Sequence, residues 1–214
     1  MEKTEEKDMR MRLLGVTALA AQYCVTVENA AESEPAEFVA RMLRLLPKLY
    51  LEFTDIVPDQ ELSHLEAGDE ETYPVDADYI DPDGVVPLEE EYGGDAAYYG
   101  SYVDEDYYNS VRRHIGELLG PDDVFLETFE EDMKYSDTPI AASVSECLAD
   151  IFQPLYNFIS IVKDTEGEQL DGAYRHCHEE FTSYWSQTLV NVLRALNHIY
   201  YKELPNQHEQ HEGI

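Results

Sequence analysis

No lysine or arginine occurs between Lys48 and Arg112. Within that gap, residues 58–107 carry 17 acidic and no basic side chains. Charges of one sign at this density repel, and residues 58–103 show no helical period. It also holds Pro58, Pro74, Pro82 and Pro87, with Gly68, Gly84, Gly93 and Gly94 before Gly100. A packed core cannot start here, so it must come from the two flanks. Six tyrosines between Tyr73 and Tyr102 argue against complete disorder, since disordered segments are poor in aromatics. Residues 58–103 therefore read as a long, partly ordered acidic and tyrosine-rich insertion crossing a helical surface.

The flanks have the opposite character. Leu13, Val16, Ala20, Tyr23, Cys24 and Val27 recur at spacings of three and four, which predicts a first helix over 9–31. Ser33 is the expected cap of a second helix, with Pro35 in its first turn. Phe38, Met42, Leu45, Leu46, Leu49, Tyr50 and Phe53 form its apolar face, and Pro47 predicts a kink or break inside it. Beyond the insertion, Tyr107, Val111, Ile115, Leu118 and Leu119 make a stripe that stops at Gly120-Pro121. Val124, Leu126 and Phe129 predict a short helix to about Tyr135. Thr138 and Pro139 predict the start of a long helix carrying Ile140, Val144, Cys147, Leu148, Ile151, Leu155, Phe158 and Val162. Residues 164–172 read as a turn. A final helix carries Tyr174, Cys177, Phe181, Trp185, Leu189, Val192, Leu193, Leu196, Ile199 and Tyr200, ends near Pro205 and leaves 206–214 as a polar tail. The expectation is one all-α, bundle-like domain over 1–214, with about six helices, no strand and no internal repeat.

Charge and cysteine usage exclude several functions. The net charge of −32 opposes nucleic acid and anionic membranes as partners. Three cysteines without a CxxC pair are neither a disulfide framework nor a zinc knuckle. They read as small buried hydrophobes in a reducing cytoplasm. The apolar run Leu13 to Ala21 follows Arg10 and Arg12, but Glu2, Glu5, Glu6 and Asp8 cancel the positive start that a secretory signal needs. No run reaches the ~18 apolar residues of a membrane span.

Four constellations could carry chemistry. Glu127, Glu130 and Glu131 lie within one and a half helical turns, and Glu146 and Asp150, four apart, share a face. Two helices with such pairs could hold Mg²⁺ or Mn²⁺ against a phosphate, as helical-bundle nucleotide pyrophosphatases do. The second pair departs from their ExxD spacing, no Lys or Arg cluster accompanies it, and with 46 acidic residues in the chain a solvated acidic face is the readier account of all five. His176-Cys177-His178 imitates a metal cluster, but residues two apart point to different sides of a helix. His176 and Glu180 do share a face, and a half-exposed helix edge explains the group. Cys177 is the best Cys/His nucleophile, although nearby acids would raise its pKa. Asp81-Pro82-Asp83-Gly84 with Glu90 partly imitates a calcium loop, with Tyr79 where the first ligand belongs. The same four residues make a β-turn without metal. Weak Ca²⁺ binding, not an EF-hand, is expected there. Trp185, the single tryptophan, reads as a core anchor.

Three stretches carry a resemblance. Ala142 to Phe152 is similar to the central helix of a bacterial family known as domain of unknown function 5063. Trp185 with Leu193-Arg194-Ala195-Leu196-Asn197 resembles its last helix, and Phe38 to Tyr50 its early helix with a mid-helix proline. The resemblance implies a bacterial, cytoplasmic, all-α protein and supplies no activity or site residue. The leading expectation is thus a non-catalytic acidic protein that binds a basic partner without a cofactor. A divalent-metal phosphohydrolase built on Glu127, Glu130, Glu131, Glu146 and Asp150 is the alternative.

Overall fold

The computed structural model describes residues 2–58, 101–127 and 140–202. Among these, the chain is a set of helices with one small β-ribbon. α1 spans Glu2–Glu28, α2 Pro35–Asp55, α3 Glu105–Leu119, α4 Val144–Asp164, α5 Leu170–Glu180 and α6 Ser186–Lys202. Strands β1 (Val124–Leu126) and β2 (Ala141–Ser143) precede α4. A π-helical segment, Phe181–Trp185, joins α5 to α6, so the chain stays helical without interruption from Leu170 to Lys202. The chain divides into two units, residues 1–57 with 99–214, and residues 58–98. The second unit, like most of the insertion 58–103, lies outside the described residues.

Apolar periodicity decides which faces meet. All six residues of the predicted α1 face are at most 2% exposed. In α2, Phe38, Met42, Leu45, Leu46, Leu49 and Phe53 are buried, while Tyr50 sits at the edge, its ring 5.7 Å from that of Phe181. α4 is the most enclosed element and packs against α1, α3, α5 and α6. Its Val144, Leu148, Ile151, Phe152 and Leu155 have no exposed surface. Burying each such side chain contributes about 1.5–3 kcal/mol. The Tyr23 hydroxyl crosses the core to donate to Leu148 O at 2.8 Å. Trp185 is fully enclosed, as the sequence predicts, with its ring 4.8 Å from Phe53 and 4.6 Å from Phe181.

Four local expectations need correction. α2 continues through Pro47, so the break allowed for there does not occur, and α4 likewise contains Pro154. A proline forfeits one ladder bond, which the buried faces on either side outweigh. Pro35 does sit in the first turn of α2, but its N-cap is Glu34, not Ser33. Val124 and Leu126 are in a strand, not a helix: β1 pairs antiparallel with β2, Val124 opposite Ser143 and Leu126 opposite Ala141. Three residues are too few to show a period, so the apolar content of Val124-Phe125-Leu126 could not separate strand from helix. The long helix begins at Val144, capped by Ser143, whose Oγ accepts from Glu146 N–H at 3.3 Å. Thr138, Pro139 and Phe129 lie outside the described residues, as does the tail 206–214. The stop at Gly120 holds: this residue has φ 53°, a conformation suited to glycine, and caps α3.

Candidate functional site

The surface with the most concentrated chemistry lies where α3, α4 and the π segment meet. Asp150 is at its centre. Tyr108 of α3 donates to Asp150 Oδ1 at 2.6 Å, and Tyr184 of the π segment donates to Oδ2 at 2.7 Å. Each phenol is available because its own helix turns it toward α4. Tyr108 follows Tyr107, which packs its ring edge against Phe152 and Tyr156. Tyr184 stands outside the buried line of Phe181 and Trp185 and is 55% exposed. The Asp150 backbone adds a peculiarity: Pro154, four residues on, has no N–H to offer its carbonyl.

Glu146 lies one turn before Asp150 and is exposed, accepting a 3.4 Å hydrogen bond from Ser143 Oγ. Cys147 is 8% exposed between them. Burial, then the charges of Glu127, Asp150 and Glu146, push its thiol up to about 12. The charges of Glu127, Glu146 and Asp150 therefore all act on one thiol. Burial and the hydrogen bond to Asp150 raise the pKa of Tyr108, and the same two causes raise that of Tyr184. Both phenols stay protonated and act as donors at neutral pH. Glu130 and Glu131 lie outside the described residues. Among the described residues, no three His, Cys, Asp or Glu side chains form a group that could hold a metal ion.

The other sequence candidates separate. His176 and Glu180 share a face, with Nε2 and Oε2 3.9 Å apart and both side chains partly exposed. His178 turns inward instead, and its Nε2–H donates to Phe53 O at 3.1 Å. Desolvation lowers its pKa, so the ring is held neutral. The half-exposed edge fits His176 alone, because Cys177 and His178 are buried. Burial pushes the Cys177 thiol well above its ordinary value, which removes it as a nucleophile. All three cysteines are free and buried. Asp81 to Glu90, His208 and His211 lie outside the described residues.

Two tyrosines of the site escaped the sequence reading. Tyr184 sits on the polar side of a helix, and its partner 34 residues away is set only by packing. The α4 start was legible but missed: Ser143-Val144-Ser145-Glu146 is a capping-box sequence. Asp123 reinforces it, accepting from Ser145 N–H and from Ser145 Oγ, each at 2.7 Å.

Fold and site together define a mainly α-helical protein with an exposed carboxylate–tyrosine cluster, and no helix among the described residues is long and apolar enough to cross a membrane. The chain belongs to the family described as domain of unknown function (DUF5063), whose profile matches residues 8–202. Its fold is similar to the crystal structure of protein BF1032 from Bacteroides fragilis, with a TM-score of 0.61 at 23% identity, over 88% of this chain and 91% of that one. A comparison with curated proteins found no match.

Proposed function

We propose that this chain is a non-catalytic cytoplasmic protein that binds a basic partner protein at the cluster of Tyr108, Glu146, Asp150 and Tyr184. The observation that carries this reading is the company Asp150 and Glu146 keep. Among the described residues their side-chain hydrogen-bond donors are the neutral hydroxyls of Tyr108, Tyr184 and Ser143, so no cation among those contacts offsets their charge. An arginine or lysine from a partner would find two carboxylates and an exposed phenol ring together. Tyrosine is also a favoured anchor residue at interfaces. The net charge of −32 would speed encounter with a basic surface and make it salt-dependent.

The test is a pull-down from bacterial lysate with the folded protein and a Glu146→Gln/Asp150→Asn variant. That variant removes two charges and leaves nearly all the bulk acidity. A basic protein retained by the parent and lost by the variant is the expected result. Equal retention by both would make the charge a solubility device, and no retained basic protein would sink the reading.

A second reading, a Mg²⁺- or Mn²⁺-dependent phosphohydrolase, has in its favour only that the charges of Glu127, Glu146 and Asp150 all act on the Cys147 thiol, for among the described residues no three such side chains form a metal-holding group. It would need Glu130 or Glu131 to complete the ligand set, and Asp150 would have to surrender a tyrosine bond. Calorimetry with Mn²⁺ and Mg²⁺ separates the two readings. A stoichiometric site abolished by Glu146→Ala/Asp150→Ala favours the enzyme, and its absence leaves the interaction protein.

A further inference from the structure

α1 carries two apolar stripes on opposite sides. Leu13, Val16, Ala20 and Val27 belong to the first, face the bundle and are at most 2% exposed. About half a turn around the helix, Met11, Leu14, Ala18, Ala21 and Val25 follow one another at spacings of three and four. Met11, Leu14 and Val25 are 62%, 46% and 55% exposed, Ala18 is exposed and Ala21 is half-buried. The core accounts for the first stripe only. The second has the 3.5-residue period of a coiled-coil seam.

The outer side of α1 also lacks charge. Between residues 11 and 27 the one charged side chain is Arg12, and it reaches aside to Asp55 O at 3.5 Å. Thr17 spends its hydroxyl on Leu13 O at 2.9 Å. A solvated helix face in this chain looks different: α3 exposes Glu105, Asp106, Arg112, Arg113 and Glu117. Charge returns at both ends of the seam and keeps its spacing. Lys7 lies four residues before Met11, Glu28 lies three after Val25, and both are exposed. The protein donor to Glu28 is the neutral hydroxyl of Tyr107, which leaves the carboxylate its charge.

We propose that α1 is a self-association surface, on which a second copy of this chain packs its own α1 antiparallel about a two-fold axis at Ala18. The order of residues along the seam argues for this occupant. Antiparallel pairing sets Lys7 of one copy against Glu28 of the other, Met11 against Val25, Leu14 against Ala21, and Ala18 against itself. A cation meets an anion at each end, and each long side chain meets a shorter one. A two-fold contact uses one patch twice, so the patch must complement itself in this way. Parallel pairing would set Lys7 against Lys7 and Glu28 against Glu28. From Lys7 to Glu28 the seam is about 31 Å long, which suits a small, reversible interface. The net charge of −32 opposes the approach of two copies, so the contact needs salt to screen it. The surface makes no use of the Asp150 cluster, and its test does not depend on that reading.

The experiment is sedimentation equilibrium of the full chain across the micromolar range, at about 0.15 M salt. The mass is expected to rise toward twice the monomer value. Ala18→Glu places two like charges on the axis and is expected to weaken association about tenfold or more. Ala18 is exposed, so this variant loses no core contact, and circular dichroism checks its fold. Cysteine cross-linking under a mild oxidant then reads the register, because the three native cysteines are buried. Ala18→Cys is expected to cross-link with itself, and Lys7→Cys only when mixed with Glu28→Cys. A chain that stays monomeric, a dimer indifferent to Ala18→Glu, or Lys7→Cys that cross-links with itself and not with Glu28→Cys would each overturn the proposal.

Discussion

The phenol of Tyr184 donates to Asp150 Oδ2 at 2.7 Å, and this bond ties the π segment to α4. Because Tyr108 takes the other oxygen, one carboxylate links three elements. The arrangement is only partly buried, so its charge remains accessible to solvent and to a partner.

Alkaline titration reads that carboxylate. Tyr108 and Tyr184 both have raised pKa values, chiefly from desolvation and then from Asp150. An acid whose folded pKa lies above its unfolded one stabilises the fold fully below the unfolded value, about 10 for a phenol, and loses that contribution as pH rises toward the folded value. Asp150→Asn is expected to shift part of the tyrosinate absorbance to lower pH and to shrink the alkaline stability loss. Ultraviolet titration and denaturant melts above pH ~9 check both.

His178 should report on acid. Its folded pKa is lowered by burial, against the hydrogen bond to Phe53 O and the charge of Glu179. A depressed basic group stabilises the fold above its unfolded value, about 6.5, and that contribution is lost as pH falls below it. His178→Gln keeps a donor for Phe53 O without a titrating ring. Its stability relative to the parent is expected to improve as pH falls from about 7 to 5, measured by urea unfolding.

Trp185 separates packing from polarity. Its ring is fully buried, yet the indole Nε1 has no hydrogen-bond partner among the described residues. Trp185→Ala should cost about 3–5 kcal/mol through the cavity it leaves. Trp185→Phe should cost clearly less, since it keeps most of the ring volume and removes an unpaired buried donor. Chemical denaturation of the two variants gives the ratio, and equal losses would contradict it.

The start of α4 depends on Asp123. Its carboxylate takes both the N–H and the hydroxyl of Ser145 at the positive end of the helix. Asp123→Ala is expected to destabilise by about 2–3 kcal/mol. Ser145→Ala, which removes only the hydroxyl bond, should cost about 1 kcal/mol. Thermal melts of both, with hydrogen exchange at 144–147, check the ranking.

Much of the fold was written in residue spacing. The α1 face from Leu13 to Val27 is legible because burial on one side imposes a period of 3.6, and a period survives without knowing the partner. Val124 to Leu126 was not, because three residues are shorter than one helical turn. Pro47 does not break α2 because local propensity is weaker than the packing on both sides of it. Of the carboxylate set, the pairing of Glu146 with Asp150 follows from a spacing of four. Their tyrosine donors do not, since Tyr108 and Tyr184 lie 42 and 34 residues from Asp150.

By itself, then, the sequence determined the helical class, the buried faces, the free thiols and the uneven charge, all of which follow from residue type and local period. The tertiary structure decided what no local rule contains. It placed Asp150 between two phenols, turned His178 into the core while His176 stayed out, and brought Arg194 of α6 to Leu126 O of β1. Each depends on how separate helices dock, and docking is set by the sum of many contacts distant in sequence, not by any one segment's preference.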